Sequence, residues 1–182
     1  ANITLYGPNY GIKGTETRNN EAALNSSITI SASDITLNGL KLATSCNVQL
    51  LANNTTITNI YSTSTTFVAT GKENRKAILC VNAEISNSVL SNSYFNIGSS
   101  IYLKGVFAAS PVVTNATFEN NYFTTNLSVS AVNNDHLNDG ITIYNPAGKI
   151  NIKNNELADS TYDYIVFLGN YSNSCTEMNI ID

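Results

Sequence analysis

The 182-residue sequence predicts one all-β domain that winds as a solenoid of short parallel strands. Three observations support this fold class: a composition suited to strands and turns, an eight-residue pattern that recurs six times, and a second strand-like run before most copies. A single coil of such a chain cannot bury its apolar residues alone. We therefore expect stacked coils that share one continuous core.

The composition favours β-structure with many turns. Hydrophobic residues make up 42% of the chain, whereas charged residues make up 12%, about half the usual share. Asn, Ser and Thr dominate the polar remainder, and β-branched and Tyr residues are plentiful. The net charge of −4 and the scattered Lys and Arg residues argue against a nucleic-acid surface, and no apolar run is long enough for a membrane span.

One oriented pattern recurs along the chain. It combines strand-like apolar alternation with Gly or Asn at the fifth position. The copies are ITLYGPNY (3–10), ITLNGLKL (35–42), TTITNIYS (55–62), SVLSNSYF (88–95), ATFENNYF (116–123) and INIKNNEL (150–157). The C-terminal MNIID aligns with the start of a seventh copy at Met178. An antiparallel sandwich would explain the alternation and the turns, but not one oriented pattern repeated six times.

Each position of the pattern has a predicted role. The third position is apolar in every copy and should form one interior stack, because side chains alternate across a strand. Its residues are Leu5, Leu37, Ile57, Leu90, Phe118 and Ile152. The fifth position should turn each coil, because Gly and Asn tolerate left-handed backbone, and stacked Asn side chains can form amide ladders. Its residues are Gly7, Gly39, Asn59, Asn92, Asn120 and Asn154.

The eighth position should return to the interior just after the turn. Its residues are Tyr10, Leu42, Phe95, Phe123 and Leu157, with Ser62 as the exception. The strand-like runs that precede the copies should build a further face of the solenoid through parallel pairing at about 4.8 Å. These runs are SITISA (27–32), NVQLLA (47–52), AILCVN (77–82), IYLKGVF (101–107), PVVT (111–114), GITIYN (140–145) and DYIVFLG (163–169).

The repeats resemble those of the pectin-lyase-like superfold, in which each coil carries an I-x-I-x-N-N-x-F-like motif. The stretch 3–30, with its GPN-x-G turn, Arg18 and Glu21, is similar to a first-coil segment of secreted and viral β-helix proteins. The resemblance implies a right-handed parallel β-helix of six to seven coils over residues 1–182, as part of a longer protein that is secreted or displayed on a cell or virion surface. It implies no single activity, because this superfold includes lyases, hydrolases, esterases, phage tailspikes and adhesins.

Charged clusters suited to catalysis are sparse. Lyases of this superfold use Lys or Arg as a base near Ca²⁺, and its hydrolases use clustered carboxylates. The stretch 133–140 contains Asp135, His136 and Asp139 as candidates. Ca²⁺ is the ion that these oxygen ligands would suit, but no complete calcium motif is present. The stretch 71–76 adds Arg75 as a candidate base. Polar surface loops account better for both stretches. We expect a non-catalytic structural or adhesion module without a cofactor; a fragment of a polysaccharide lyase or hydrolase, or a phage tailspike segment, is the alternative.

The three cysteines, Cys46, Cys80 and Cys175, give no complete disulfide framework because their number is odd. The chain has no Cys-x-x-Cys motif and only one His, so the sequence does not predict a structural zinc site. Cys80, within AILCVNA, fits a buried thiol that packs as a small apolar side chain.

The seventh position of the pattern provides a candidate binding face. Its residues are Asn9, Lys41, Tyr61, Tyr94, Tyr122 and Glu156. Strand alternation directs this position outward, so three Tyr rings on successive coils could bind a glycan, with Lys41 and Glu156 at the two ends of the line. An aromatic ladder that only stabilises the solenoid is the alternative. Besides a polysaccharide partner, we expect end-to-end association, because open solenoid ends expose unpaired strand edges.

Overall fold

The computed structural model describes residues 2–43, 46, 48–62, 78–80, 85–96, 101–103, 113–124, 141–158, 165–168 and 175–181. These residues form short β-strands and no helix. The strands are β1 (Ile3–Tyr6), β2 (Ala23–Leu24), β3 (Ile28–Ile30), β4 (Ile35–Asn38), β5 (Lys41–Leu42), β6 (Val48–Leu50), β7 (Thr55–Thr58), β8 (Tyr61–Ser62), β9 (Ile78–Cys80), β10 (Ile85–Ser86), β11 (Val89–Ser91), β12 (Tyr94–Asn96), β13 (Ile101–Leu103), β14 (Val113–Thr114), β15 (Thr117–Glu119), β16 (Tyr122–Thr124), β17 (Ile141–Tyr144), β18 (Pro146–Lys153), β19 (Glu156–Ala158), β20 (Ile165–Leu168) and β21 (Cys175–Ile181).

Three stacks of strands run along the solenoid. Sheet A consists of β1, β4, β7, β11, β15, β18 and β21, sheet B of β2, β5, β8, β12, β16 and β19, and sheet C of β3, β6, β9, β13, β17 and β20. The shorter strands β10 and β14 stack onto the start of β18, beside sheet A. Every pairing among the described strands is parallel. The predicted fold class is therefore confirmed, and the chain is a parallel β-helix.

The predicted strand-like runs are also confirmed. Six of them contain the strands of sheet C, and the run at 111–114 contains β14. Each of these strands pairs with its counterpart in the next coil. The chain thus passes through sheet A, sheet B and sheet C in turn, which places equivalent residues of successive coils directly above one another.

The predicted interior stack is confirmed. The six third-position residues occupy one register column of sheet A, and Ile180 of β21 extends it by one position. Its inner members are at most 4% exposed, whereas Leu5 is 45% exposed at one end and Ile180 is 49% exposed at the other. Each fully buried side chain of this size contributes roughly 1.5–3 kcal/mol relative to exposure. Met178 pairs with Ile150, as the seventh copy predicts.

The predicted turn position adopts left-handed backbone in five of its six copies. Gly39 has a φ of 76°, and the φ angles of Asn59, Asn92, Asn120 and Asn154 lie between 49° and 54°. At this corner the Asn154 Nδ2 donates a hydrogen bond to Asn120 Oδ1 over 3.4 Å. The prediction is wrong for Gly7, which does not have a positive φ.

A second column of left-handed residues lies just before the repeat copies, and the repeat pattern did not reveal it. It consists of Asp34, Asn54, Asn87, Asn115 and Gly148. Amide groups connect its members: Asn54 Nδ2 donates to Asp34 Oδ1 at 2.9 Å, Asn87 to Asn54 at 3.0 Å, and Asn115 to Asn87 at 3.2 Å. The many Asn residues therefore lie at two turns of the coils. Among the amide hydrogen bonds within each column, the shorter ones are at the turn that was not predicted.

The second Asn of the doublets at 120–121 and 154–155 is an interior residue. Asn121 is 2% exposed, and its backbone N and side-chain Nδ2 both donate to Asn155 Oδ1, at 3.0 and 2.9 Å. The same Nδ2 also donates to Leu90 O, and Asn155 Nδ2 donates to Phe118 O. Asn121 Oδ1 accepts a bond from Ser93 N at 3.2 Å. These amides satisfy backbone groups inside the turn, where water cannot reach them.

The first coil departs from the pattern after β1. Tyr10 is 63% exposed and Asn9 is 1% exposed, so the predicted inward and outward positions are wrong here. Leu24 of β2, rather than Tyr10, pairs with Leu42 in sheet B. The physical reason is that residues 7–22 leave the coil and lie against later coils. We call residues 7–22 the N-terminal strap.

Arg18 fixes the strap to the second and third coils. Its Nη1 donates to Ile12 O at 3.1 Å and to Asn59 O at 2.9 Å, and its Nη2 donates to Leu40 O at 3.4 Å. The side chain is only 4% exposed, and its Nε forms an ion pair with Glu21 Oε1 at 2.7 Å. A charge this well buried needs such a set of partners, because an unpaired buried charge is strongly unfavourable.

Candidate binding face

Sheet B brings the predicted binding residues into one column. Register pairs join Lys41 to Tyr61, Tyr61 to Tyr94, Tyr94 to Tyr122, and Tyr122 to Glu156. Ala23, rather than the predicted Asn9, precedes Lys41 in this column. We call Tyr61, Tyr94 and Tyr122 the tyrosine ladder.

Strand alternation explains why the ladder faces outward. The residues that follow Tyr94 and Tyr122 are Phe95 and Phe123, which are at most 1% exposed and stack in the core with ring centroids 5.8 Å apart. Neighbouring residues of a strand point to opposite faces, so burial of the two Phe rings directs the Tyr rings away from the core. All three Tyr residues are partly exposed.

The rings of the ladder stack face to face. The Tyr61 and Tyr94 centroids are 5.2 Å apart with an interplanar angle of 26°, and those of Tyr94 and Tyr122 are 5.4 Å apart at 5°. Both faces of Tyr94 are therefore covered by its neighbours. The two contacts leave no face of Tyr94 on which a sugar ring could stack.

Positive charge lies at the Tyr61 end of the ladder. The Lys41 Nζ lies 5.8 Å from the Tyr61 ring centroid, and the Arg18 Cζ lies 5.9 Å from it. Cations over an aromatic face are attracted by its π electrons. Glu156 is exposed at the opposite end. The column thus runs from a cation to an anion across three phenol rings.

The N-terminal strap borders the ladder on one side. Gly14 N donates to Asn92 O at 2.8 Å, and a Cβ at Gly14 would clash with Tyr94 N. Only glycine fits this close approach. Gly14 therefore lies against the Tyr94 backbone, and its strap neighbours Lys13 and Glu16 are exposed.

The predicted catalytic candidates, Asp135, His136, Asp139 and Arg75, lie outside the described residues. Within the described ranges, no group of three or more His, Cys, Asp or Glu side chains is placed to share a metal ion. The same part of the chain contains no helix long and apolar enough to cross a membrane.

Two of the three cysteine side chains are described. Cys46 is a buried thiol, and its burial raises its pKa. Cys175 is a partly exposed thiol whose Sγ lies 3.7 Å from Glu177 O. The side chain of Cys80, which we predicted to be buried, lies outside the described part.

A polar cluster on sheet A was not predicted. The Lys149 Nζ lies 2.9 Å from Glu177 Oε1, and Asn179 Nδ2 donates to Glu177 Oε1 at 2.8 Å and to Asn151 Oδ1 at 2.9 Å. The hydrogen bonds from Lys149 and Asn179 lower the pKa of Glu177. The ion pair is half exposed, so it joins β18 to β21 with little net energy. The residues of this polar cluster come from different coils, so only the alignment of the seventh copy could have predicted the cluster.

Comparison of the chain with protein-family models, with curated proteins and with solved structures gave no match in any of the three.

Proposed function

We propose that this chain is a structural module of an extracellular surface or adhesion protein, and that its tyrosine ladder binds a polysaccharide. The observation that carries the proposal is the outward column from Lys41 to Glu156, which places one polar or aromatic side chain on each of five successive coils. A surface that repeats at the strand spacing suits a ligand that also repeats, and an extended polysaccharide has this property.

The fold supports the structural part of this proposal. Parallel strands, amide ladders and a continuous apolar column make each coil depend on its neighbours, which suits a stiff, elongated spacer. The six repeats and the N-terminal strap also support membership of the pectin-lyase-like superfold, whose adhesins and tailspikes are extracellular. A low charged fraction of 12% gives the module a surface of hydroxyl and amide groups.

The stacked rings limit how a ligand can contact Tyr94. Because both of its faces are turned toward neighbouring rings, its hydroxyl group and ring edge would make the contacts. A phenolic hydroxyl both donates and accepts hydrogen bonds, as sugar hydroxyl groups do. Lys41 and Glu156 would then contact the chain on either side of the three rings.

The test is removal of one hydroxyl group without loss of the ring. Tyr94→Phe keeps the stack, as the Phe95–Phe123 pair shows for two phenylalanines. We expect it to weaken oligosaccharide binding by roughly two- to tenfold in Kd, the value of one hydrogen bond. Calorimetric titration of candidates selected on a glycan array would measure this loss.

The matched control is Tyr6→Phe. Tyr6 lies on sheet A in the first coil, is 62% exposed and is not part of the column from Lys41 to Glu156. Its loss should leave Kd unchanged. The proposal is wrong if no glycan binds, or if binding is insensitive to Tyr→Phe changes at all three ladder positions while circular dichroism shows an intact fold.

A further inference from the structure

The geometry points to the tyrosine ladder as a site of oxidative cross-linking, in which a carbon–carbon bond joins two neighbouring rings as dityrosine. This inference does not depend on the glycan proposal. It assigns a covalent modification to the same residues, and the product would connect consecutive coils of the β-helix.

The ladder holds its rings in contact before any reaction. The Tyr61–Tyr94 and Tyr94–Tyr122 centroid separations are 5.2 and 5.4 Å, and parallel strand pairing fixes the backbones that carry them. Two radicals formed on these rings need no diffusion to meet. Such positioning makes an intramolecular coupling far faster than coupling between separate molecules. The rings are also partly exposed, so an oxidant can reach them.

The reaction balances with a peroxide as the oxidant. Each phenol loses one electron and one proton to give a phenoxyl radical, whose unpaired electron is shared with the two ring carbons next to the C–O bond. Two such carbons on neighbouring rings form the new bond. The hydrogen on each carbon then moves to its phenolic oxygen and restores the aromatic ring. Overall, two tyrosines lose two hydrogen atoms, and one hydrogen peroxide is reduced to two waters.

The other described aromatic pairs provide natural controls. Tyr6 and Tyr10 are as close, at 5.5 Å, but their rings meet edge to face at 70°, so their reactive carbons do not lie over one another. The Phe95 and Phe123 rings stack as the ladder does but have no hydroxyl group from which to form a phenoxyl radical. Tyr94 has a stacked neighbour on each side, so it is the shared partner of both possible bonds.

The experiment treats the dilute folded chain with a haem peroxidase and hydrogen peroxide. Size exclusion isolates the monomer, and dityrosine fluorescence and intact mass are then measured. We expect a mass loss of two hydrogen atoms and cross-linked peptides that join Tyr94 to Tyr122 or Tyr61 to Tyr94. Tyr94→Phe should reduce the monomer signal to near background, whereas Tyr6→Phe should leave it unchanged. Tyr61→Phe should retain only the Tyr94–Tyr122 product.

Unfolding in urea separates fold-directed coupling from random coupling. The same treatment in urea should abolish the preference for the ladder peptides, because the coils no longer align the rings. The inference is overturned if the folded monomer forms no dityrosine, if its cross-links map mainly to other tyrosines, or if Tyr94→Phe retains the full signal. It is also overturned if folded and unfolded chains give the same set of peptides.

Discussion

Asn121→Ala tests whether the buried amide column stabilises the solenoid. The substitution removes three side-chain hydrogen bonds, to Ser93 N, Leu90 O and Asn155 Oδ1. Each lost bond costs about 1 kcal/mol, and a buried partner left without a substitute costs about 1–3 kcal/mol. We therefore expect a loss of about 3 kcal/mol or more in the free energy of unfolding. Urea denaturation followed by circular dichroism measures it.

Asn120→Gly is the matched control at the adjacent residue. Asn120 is exposed and has a φ of 53°, which glycine adopts without strain, and its amide accepts only a 3.4 Å bond from Asn154. Surface changes of this kind usually stay within about 0.5 kcal/mol. If Asn121→Ala costs no more than Asn120→Gly, then buried amide bonds do not stabilise the turn and the reasoning fails.

Four further predictions concern other parts of the chain. Arg18→Met should cost about 3–5 kcal/mol in the free energy of unfolding, because Glu21 loses its buried partner; a cost near zero in urea denaturation would show that the strap is dispensable. Because the pKa of Glu177 is lowered, its carboxylate stabilises the folded state above the ordinary glutamate pKa. This stabilisation is lost as the pH falls through the lowered pKa. The melting-temperature difference between the native chain and Glu177→Gln should accordingly shrink in acid, and a constant difference would contradict this. The chain should not cleave pectate or alginate; cleavage that Asp135→Ala or Arg75→Ala abolishes would establish an enzyme. End-to-end association predicts a scattering mass that rises with protein concentration, and a constant monomer mass would exclude it.

The repeating part of the fold could be predicted from sequence because its causes are local. Strand alternation determines which side of a strand is buried, and the backbone freedom of Gly and Asn determines where the chain turns. Both causes act within a few residues, so the column from Leu37 to Ile152 and the turn from Asn59 to Asn154 follow from aligned letters alone.

The N-terminal strap could not be predicted because its causes are distant. Arg18 donates to carbonyl groups of Leu40 and Asn59, and Gly14 bonds to Asn92, all in later coils. The pattern around Tyr10 matches the repeat, yet these contacts draw the segment out of its coil. A local pattern cannot reveal this conformation, because contacts with residues far along the chain impose it.

The buried amides had a sequence signal that the repeat pattern overlooked. The residue after the turn is Leu40 or Ile60 in the earlier copies and Ser93, Asn121 or Asn155 in the later ones. Because this position is apolar in the earlier copies, it faces the interior. The polar residues at the same position in the later copies must therefore be buried and hydrogen-bonded. In the later copies these polar side chains bond to backbone groups of the turn, which Leu40 and Ile60 cannot do.

The tyrosine ladder shows where sequence reasoning about a site reaches its limit. Register alone predicted that the three rings share a column, but the ring orientations depend on side-chain torsions that no repeat pattern encodes. Face-to-face stacking removes sugar stacking on Tyr94 and at the same time holds its ring centroid 5.2 and 5.4 Å from those of its neighbours, the proximity that dityrosine formation needs. The two proposals for these residues form their bonds through different atoms: a glycan would contact the hydroxyl groups, and coupling would join ring carbons. Both need the phenol, so Tyr94→Phe impairs both. Coupling itself restores the hydroxyl groups, so a cross-linked ladder would still present them to a glycan.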